Sequence, residues 1–197
     1  MFRSALVSAL LLGISAPAFA QTPTPAPAAK ASVAAEADIL AYALPGYSGI
    51  VSVTLPSKLQ IAAGIGRYDV PSFLVSGDEH YDQAKWNATV TSLQVARVTY
   101  RFRGAMKSGL AVGAVMLNQN WKMQSTPLDG ETRFRTLSVG LTAGYYIHMG
   151  RHLYVYPTTA FTWNKVASGS TAIKGTGYKV ERIAPNMSVH AGWEWGR

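Results

Sequence analysis

The chain has 197 residues, of which 48% are hydrophobic and 14% charged, with a formal net charge of +8 and no cysteine. That length bounds one domain of ordinary size, and the lack of thiols excludes disulfides and thiolate metal sites. The basic residues are scattered with no Lys/Arg block, which argues against a nucleic-acid binder and leaves them free to meet anionic lipid head groups.

Met1–Ala20 begins with the positive Arg3, continues with the apolar run Ala5–Ile14, and ends on the small-x-small site Ala18-Phe19-Ala20. This is the pattern of a secretory signal peptide (residues 1–20), with cleavage expected at Ala20/Gln21. Its apolar core is shorter than the roughly twenty residues a spanning helix needs. Residues 21–35 (QTPTPAPAAKASVAA) are rich in Pro, Ala and Thr and read as a periplasmic tether. The remaining stretch, 36–197, is expected to form one β-barrel domain. No later segment has eighteen consecutive apolar residues, so no helical span is expected.

Glu36–Leu44 (EADILAYAL) reads either as a short helix or as a first strand with Ile39, Ala41 and Ala43 on one face. Tyr47–Leu55 is rich in β-branched residues and reads as a strand, broken by Pro56-Ser57-Lys58. Leu59–Tyr68 alternates Leu59, Ile61, Ala63 and Ile65 with Gln60, Ala62, Gly64 and Gly66. Asp69–Lys85 is a long polar loop containing His80. Trp86–Phe102 is the next strand, with Val98, Tyr100 and Phe102 on one face and Arg97, Thr99 and Arg101 on the other. Leu93 and Val95 fall out of step with the apolar face, as a β-bulge would make them.

After the turn Arg103–Ser108, Gly109–Asn120 forms a strand in which either face can be the apolar one. Trp121–Glu131 reads as a second long loop, with turn residues Pro127 and Asp129-Gly130. The clearest strand is Thr136–Ile147. Leu137, Val139, Leu141, Ala143, Tyr145 and Ile147 occupy every second position, and Thr136, Ser138, Gly140, Thr142 and Gly144 fill the gaps. Side chains of a strand alternate between faces, so one face is wholly apolar and the other small and polar. About ten tilted residues cross a bilayer, and this run is long enough. Met149-Gly150-Arg151 makes the next turn. Leu153–Trp163 places Leu153, Val155, Pro157, Phe161 and Trp163 outward, with distortion expected at Pro157 because proline cannot donate to a ladder. Asn164–Gly177 reads as a third long loop. The last strand ends with Met187, Val189, Ala191, Trp193 and Trp195 on one face and Ser188, His190, Gly192 and Glu194 on the other.

Connections thus alternate short and long. Aromatic residues crowd the strand ends beside the short turns (Tyr100, Phe102, Tyr145, Tyr154, Tyr156, Trp193, Trp195), while Phe161 and Trp163 stand at the opposite end. Two aromatic girdles at the bilayer interfaces are the expected arrangement. The fold class predicted is all-β: an antiparallel, up-and-down transmembrane β-barrel. Counting Glu36–Leu44 as a strand gives eight strands, the even number that single-chain bacterial barrels have.

On its signal peptide, alternating strands and aromatic last strand, the chain resembles the small bacterial outer-membrane β-barrel proteins, the eight-stranded OmpA-, OmpX- and OmpW-like class. The resemblance implies the cell outer membrane as location, with outer-membrane lipids and lipopolysaccharide as surroundings and the barrel-assembly machinery as a partner in biogenesis. The terminal aromatic read by that machinery corresponds to Trp195, here followed by Gly196-Arg197. An extracellular partner of unknown identity would meet the long loops. The role implied is non-enzymatic: structure, surface display or partner binding.

No constellation for a cofactor or metal is evident. Of the four histidines, His80, His148 and His152 read as solvated. His190 lies mid-strand on the polar face, with Ser188 and Glu194. An eight-stranded lumen has room only for packed side chains, and charges there must be paired, so Arg97, Arg101, His190 and Glu194 are expected to form a structural lumen network. Two alternatives differ in class. Some barrels of this size modify lipid A with a His and a Ser, which would give Ser188 and His190 a chemical role. A soluble lipocalin-like carrier of an apolar ligand would instead turn its apolar residues inward.

Overall fold

The computed structural model describes residues 31–71 and 85–196. The signal peptide, most of the tether, and the loop stretch holding His80 lie outside these. Eight strands close a barrel: β1 (Ser32–Asp38), β2 (Tyr47–Thr54), β3 (Leu59–Val70), β4 (Trp86–Arg101), β5 (Gly109–Ser125), β6 (Gly130–Met149), β7 (Leu153–Gly169) and β10 (Ile183–Gly196). Each pairs antiparallel with its sequence neighbour, and β1 closes the ring against β10. A two-residue ladder, β8 (Ala172–Ile173) with β9 (Thr176–Gly177), decorates the connection between β7 and β10. Closure removes every free sheet edge along the paired length.

The faces of β6 settle which side is which. Leu141 is 75% exposed and Val139 52%, whereas Ser138 and Thr142 are 2% and 5% exposed. The same alternation places Val51 and Val53 of β2, Ile61 and Ile65 of β3, Val98 and Tyr100 of β4, Leu110 and Met116 of β5, Phe161 and Trp163 of β7, and Met187 and Trp193 of β10 outward. A continuous apolar band therefore encircles the barrel. It far exceeds the few hundred square ångströms of contiguous apolar surface that soluble monomers carry.

The first strand lies earlier than Glu36–Leu44. β1 runs Ser32–Asp38, so the barrel begins inside the stretch read as tether, and Ile39–Ala43 forms a short helix, α1. Asp38 makes the switch: one carboxylate oxygen accepts the N–H of Leu40, capping the helix, and the other accepts the Ser188 hydroxyl at 2.5 Å. Short polar side chains at this position end one element and begin another.

Three further corrections share one cause: strands continue beyond the apolar band. β5 runs to Ser125 and β6 begins at Gly130, so the predicted loop Trp121–Glu131 is strand except for a four-residue turn. β7 runs to Gly169, well into the predicted loop Asn164–Gly177. β3 takes in Asp69 and Val70. In β4 the extra residue is Thr91, where the β4–β5 register shifts between Val90 and Ser92. Leu93 and Val95 lie below that bulge, in phase with Arg97, and face inward; Leu93 approaches the position of a Gly66 side chain to 3.5 Å. At Pro157 the β6–β7 ladder lapses opposite Tyr145 and Tyr146, while pairing to β10 continues through Val189.

Candidate functional site: the lumen and the two faces of the wall

Near the short-turn end, the lumen is filled by a charged and aromatic network. Arg101 on β4 donates to both carboxylate oxygens of Glu194 on β10, at 2.8 and 3.2 Å. Glu194 also accepts the Ser32 hydroxyl and the backbone N–H of Met106, from the turn that tucks beneath the barrel, and its carboxylate is 3.3 Å from His148 Nε2. The Arg101 guanidinium lies 4.0 Å from the Tyr146 ring centroid. One layer up, Arg97 grips both oxygens of Glu36 at 2.9–3.0 Å and lies 4.9 Å over the Tyr156 ring. Gln60 joins the layers: its carbonyl accepts from Thr99 and from the Tyr146 hydroxyl, and its amide donates to Ser52, which donates to Glu36. Buried charges persist only when paired and hydrogen-bonded, and both ion pairs meet that condition.

Of the four residues expected together, the structure joins Arg101 to Glu194 directly. Arg97 is instead paired with Glu36. His190 lies next to that second pair, with Nδ1 4.0 Å from Glu36 Oε2 and its ring stacked on Tyr156. His148, read as solvated, is mostly buried beside Glu194. Glu36, Gln60, Tyr146, Tyr154 and Tyr156 complete the network, beyond the four residues that the sequence pattern predicts.

Tyr154 and Tyr156 are fully buried in the lumen rather than girdle residues. Their parity is that of Thr158 and Thr162, opposite to Leu153 and Val155. Glycines make the room: a Cβ on Gly144 would come within 2.6 Å of the Tyr156 ring, and one on Gly192 would overlap the Tyr154 ring. Tyr100, Phe102, Tyr145, Phe161, Trp163, Trp193 and Trp195 all point outward.

At the long-connection end the polarity of the wall inverts. Inward positions carry Trp86, Ala88, Met123 and Phe134, which with Ile173 of β8 form a buried apolar cluster against which Val70, Trp121, Leu128, Tyr178 and Val180 pack. Trp121 stacks on Phe134 with rings 6.1 Å apart, and its indole N–H donates to Thr136 at 2.9 Å. Outward positions of the same strands carry Asn118, Asn120, Lys122 and Gln124 on β5, and Glu131, Arg133 and Arg135 on β6. Lys122 and Arg133 both bind Glu131, at 3.1 and 2.9 Å, and hold its carboxyl below the ordinary carboxylate range. The lumen is thus bounded by a polar network at one end and an apolar cluster at the other.

The Ser188 hydroxyl is committed to Asp38 and not to His190. Among the described residues, no three His, Asp or Glu side chains are grouped to hold a metal ion.

No protein-family model and no curated protein sequence matches the chain. Among solved structures it is similar to the crystal structure of the N-terminal β-barrel domain of Pseudomonas aeruginosa OprF, with a TM-score of 0.54 and 13% identity over 85% of this chain and 98% of that one. Neisserial surface protein A (NspA) also matches, with a TM-score of 0.44 and 14% identity over 84% of this chain and 93% of that one. A major outer membrane protein from Thermus thermophilus matches with a TM-score of 0.48 and 13% identity, over 84% and 99%. With its closed ring of eight antiparallel strands and its outward apolar band, the chain has the fold of the eight-stranded outer-membrane β-barrel proteins.

Proposed function

We propose that the chain is a non-enzymatic protein of the bacterial outer membrane, a rigid barrel that holds its long-end strands and connections at the cell surface for structural support or partner binding. The carrying observation is the inversion along β5 and β6. Over Leu137–Met149 the apolar side chains point out and the polar ones in; over Glu131–Arg135 the order reverses, with Phe134 inward between outward Arg133 and Arg135. One strand needs two solvents to account for both halves: hydrocarbon around the first and water around the second. A soluble lipocalin-like carrier requires the second arrangement along the whole strand.

The signal peptide and cleavage at Ala20/Gln21 remain part of this reading, as do assembly through Trp195 and lipopolysaccharide as a neighbour. The outward aromatics form the interface girdles, with Arg182 lying 4.5 Å over the Trp163 ring at the upper one. The lumen network acts structurally, since its charges are matched in buried pairs.

Fractionation of cells expressing the full chain tests the location: the protein should stay with outer-membrane vesicles through an alkaline wash. Release into the wash supernatant would end the membrane reading. Lipid A profiles from cells carrying Ser188→Ala or His190→Ala should match those of the unaltered protein; a modification lost with either substitution would make it an enzyme.

A further inference from the structure

The outward rim above the apolar band contains a cleft of about 360 Å³, lined by Thr91, Asn120, Arg133, Arg135, Ser168 and Gly169, with Trp121 and Phe134 behind. It lies where the β6–β7 register shifts: Arg135 faces Ser168 but Thr136 faces Val166, so Ala167 is an extra residue in β7. Such a bulge bends a strand and opens the surface locally.

Among the described residues, the charge at this cleft and along its lower edge is not balanced. Arg133 and Lys122 are already engaged by Glu131. Arg135 and Lys165 have no acidic partner among the described residues. Arg135 is nevertheless held in place. Its Nε donates to Asn118 Oδ1 at 2.7 Å, and the Asn118 amide donates to Gln94 at 2.9 Å. Asn118 stands opposite Leu137, one outward row nearer the apolar band. This bond draws the guanidinium toward the band's edge, and among the described residues its Nη donors have no hydrogen-bond acceptor. Lys165 also stands opposite Leu137, from the other side. A pre-aimed guanidinium on the β5 side of Leu137 and a lysine on its β7 side flank one outward position, and a phosphate seated over it takes paired donors from the arginine. Directly below lie outward Leu137, Val139 and Trp163, which suit acyl chains.

We propose that Arg135 and Lys165, with Asn120 and Ser168 as neutral donors, bind the phosphate of a phosphorylated outer-leaflet lipid whose acyl chains lie on Leu137, Val139 and Trp163. The inference rests on the membrane reading above and assigns that surface a ligand class, a lipid A-type head group.

The test uses the full mature chain reconstituted in phosphatidylcholine vesicles containing traces of bisphosphorylated lipid A, the same lipid stripped of phosphate, or inorganic phosphate with no lipid A. Lipid retained on re-isolated protein is counted by mass spectrometry. The unaltered protein should retain the phosphorylated lipid at least about fivefold better than the stripped one, given about 1 kcal/mol per basic residue near an anionic surface. Arg135→Gln with Lys165→Gln should abolish that preference, Arg103→Gln in the opposite-end turn should not, and millimolar phosphate should not compete. Equal retention of both lipids, retention by the double variant within twofold of the unaltered protein, or displacement by free phosphate would each overturn the proposal. Failure of the unaltered protein to enter vesicles would instead refute the membrane reading on which it rests.

Discussion

Arg101 on β4 and Glu194 on β10 meet across the lumen at 2.8 Å, with both side chains almost wholly buried. The pair sits between Tyr146, Ser32, Thr54 and the backbone of Met106, so it ties five strands and a turn at one level. Taking one member away leaves the other charged and without its ion-pair partner in a buried interior. Arg101→Met alone should cost about 3–5 kcal/mol of unfolding free energy, and the double replacement Arg101→Met with Glu194→Leu should cost clearly less than the sum of the singles. Urea unfolding in vesicles, followed by tryptophan fluorescence, checks both values.

Gly192 and Tyr154 form a lock-and-space pair in the same plug. Gly192→Val puts branched carbons where the Tyr154 ring lies, and overpacking of this kind costs about 1–3 kcal/mol. Adding Tyr154→Ala should recover part of that loss. If Gly192→Val is as stable as the unaltered chain, the tyrosines do not fill the lumen.

Much of this arrangement was legible in β6, because its outward face is apolar at every position from Leu137 to Met149. β1 was not. Ser32–Asp38 reads SVAAEAD, small residues like those of the spacer before it, and its strand character comes from partners far along the chain, Val53 on one side and Trp195 on the other. The long ends of β5 and β6 were hidden for a different reason. Beyond the band the inside–outside polarity reverses, so Trp121, Lys122, Met123 and Gln124 alternate in the opposite sense and look irregular next to the strand below. Residue type alone puts Tyr154 and Tyr156 in the girdle, whereas their parity with Thr158 places them inside. Glu36 shares parity with Ser32 and Ala34, but that signal means little until the strand holding it is known.

The polarity inversion predicts opposite tolerance at two outward sites on neighbouring strands. Leu141→Arg, in the middle of the band, should cost about 2–4 kcal/mol, whereas Asn120→Arg, above it, should cost less than about 1 kcal/mol. Equilibrium unfolding of both variants in the same lipid checks the contrast, and equal costs would place both sites in one solvent.

The filled lumen predicts weak conductance. In planar bilayers the unaltered protein should show no large, stable openings, since Arg97, Arg101 and the stacked Tyr146 and Tyr156 occupy the channel axis side by side. Porin-sized steady currents would mean the plug is not closed.

Orientation of the β6 side chains is the most direct test of the whole account. The chain has no cysteine, so Leu141→Cys and Thr142→Cys each carry a single nitroxide label. In vesicles, the label at position 141 should collide readily with dissolved oxygen and hardly at all with a water-soluble nickel chelate, while the label at 142 should be shielded from both. Oxygen access at 142 together with nickel access at 141 would turn the barrel inside out and contradict the account.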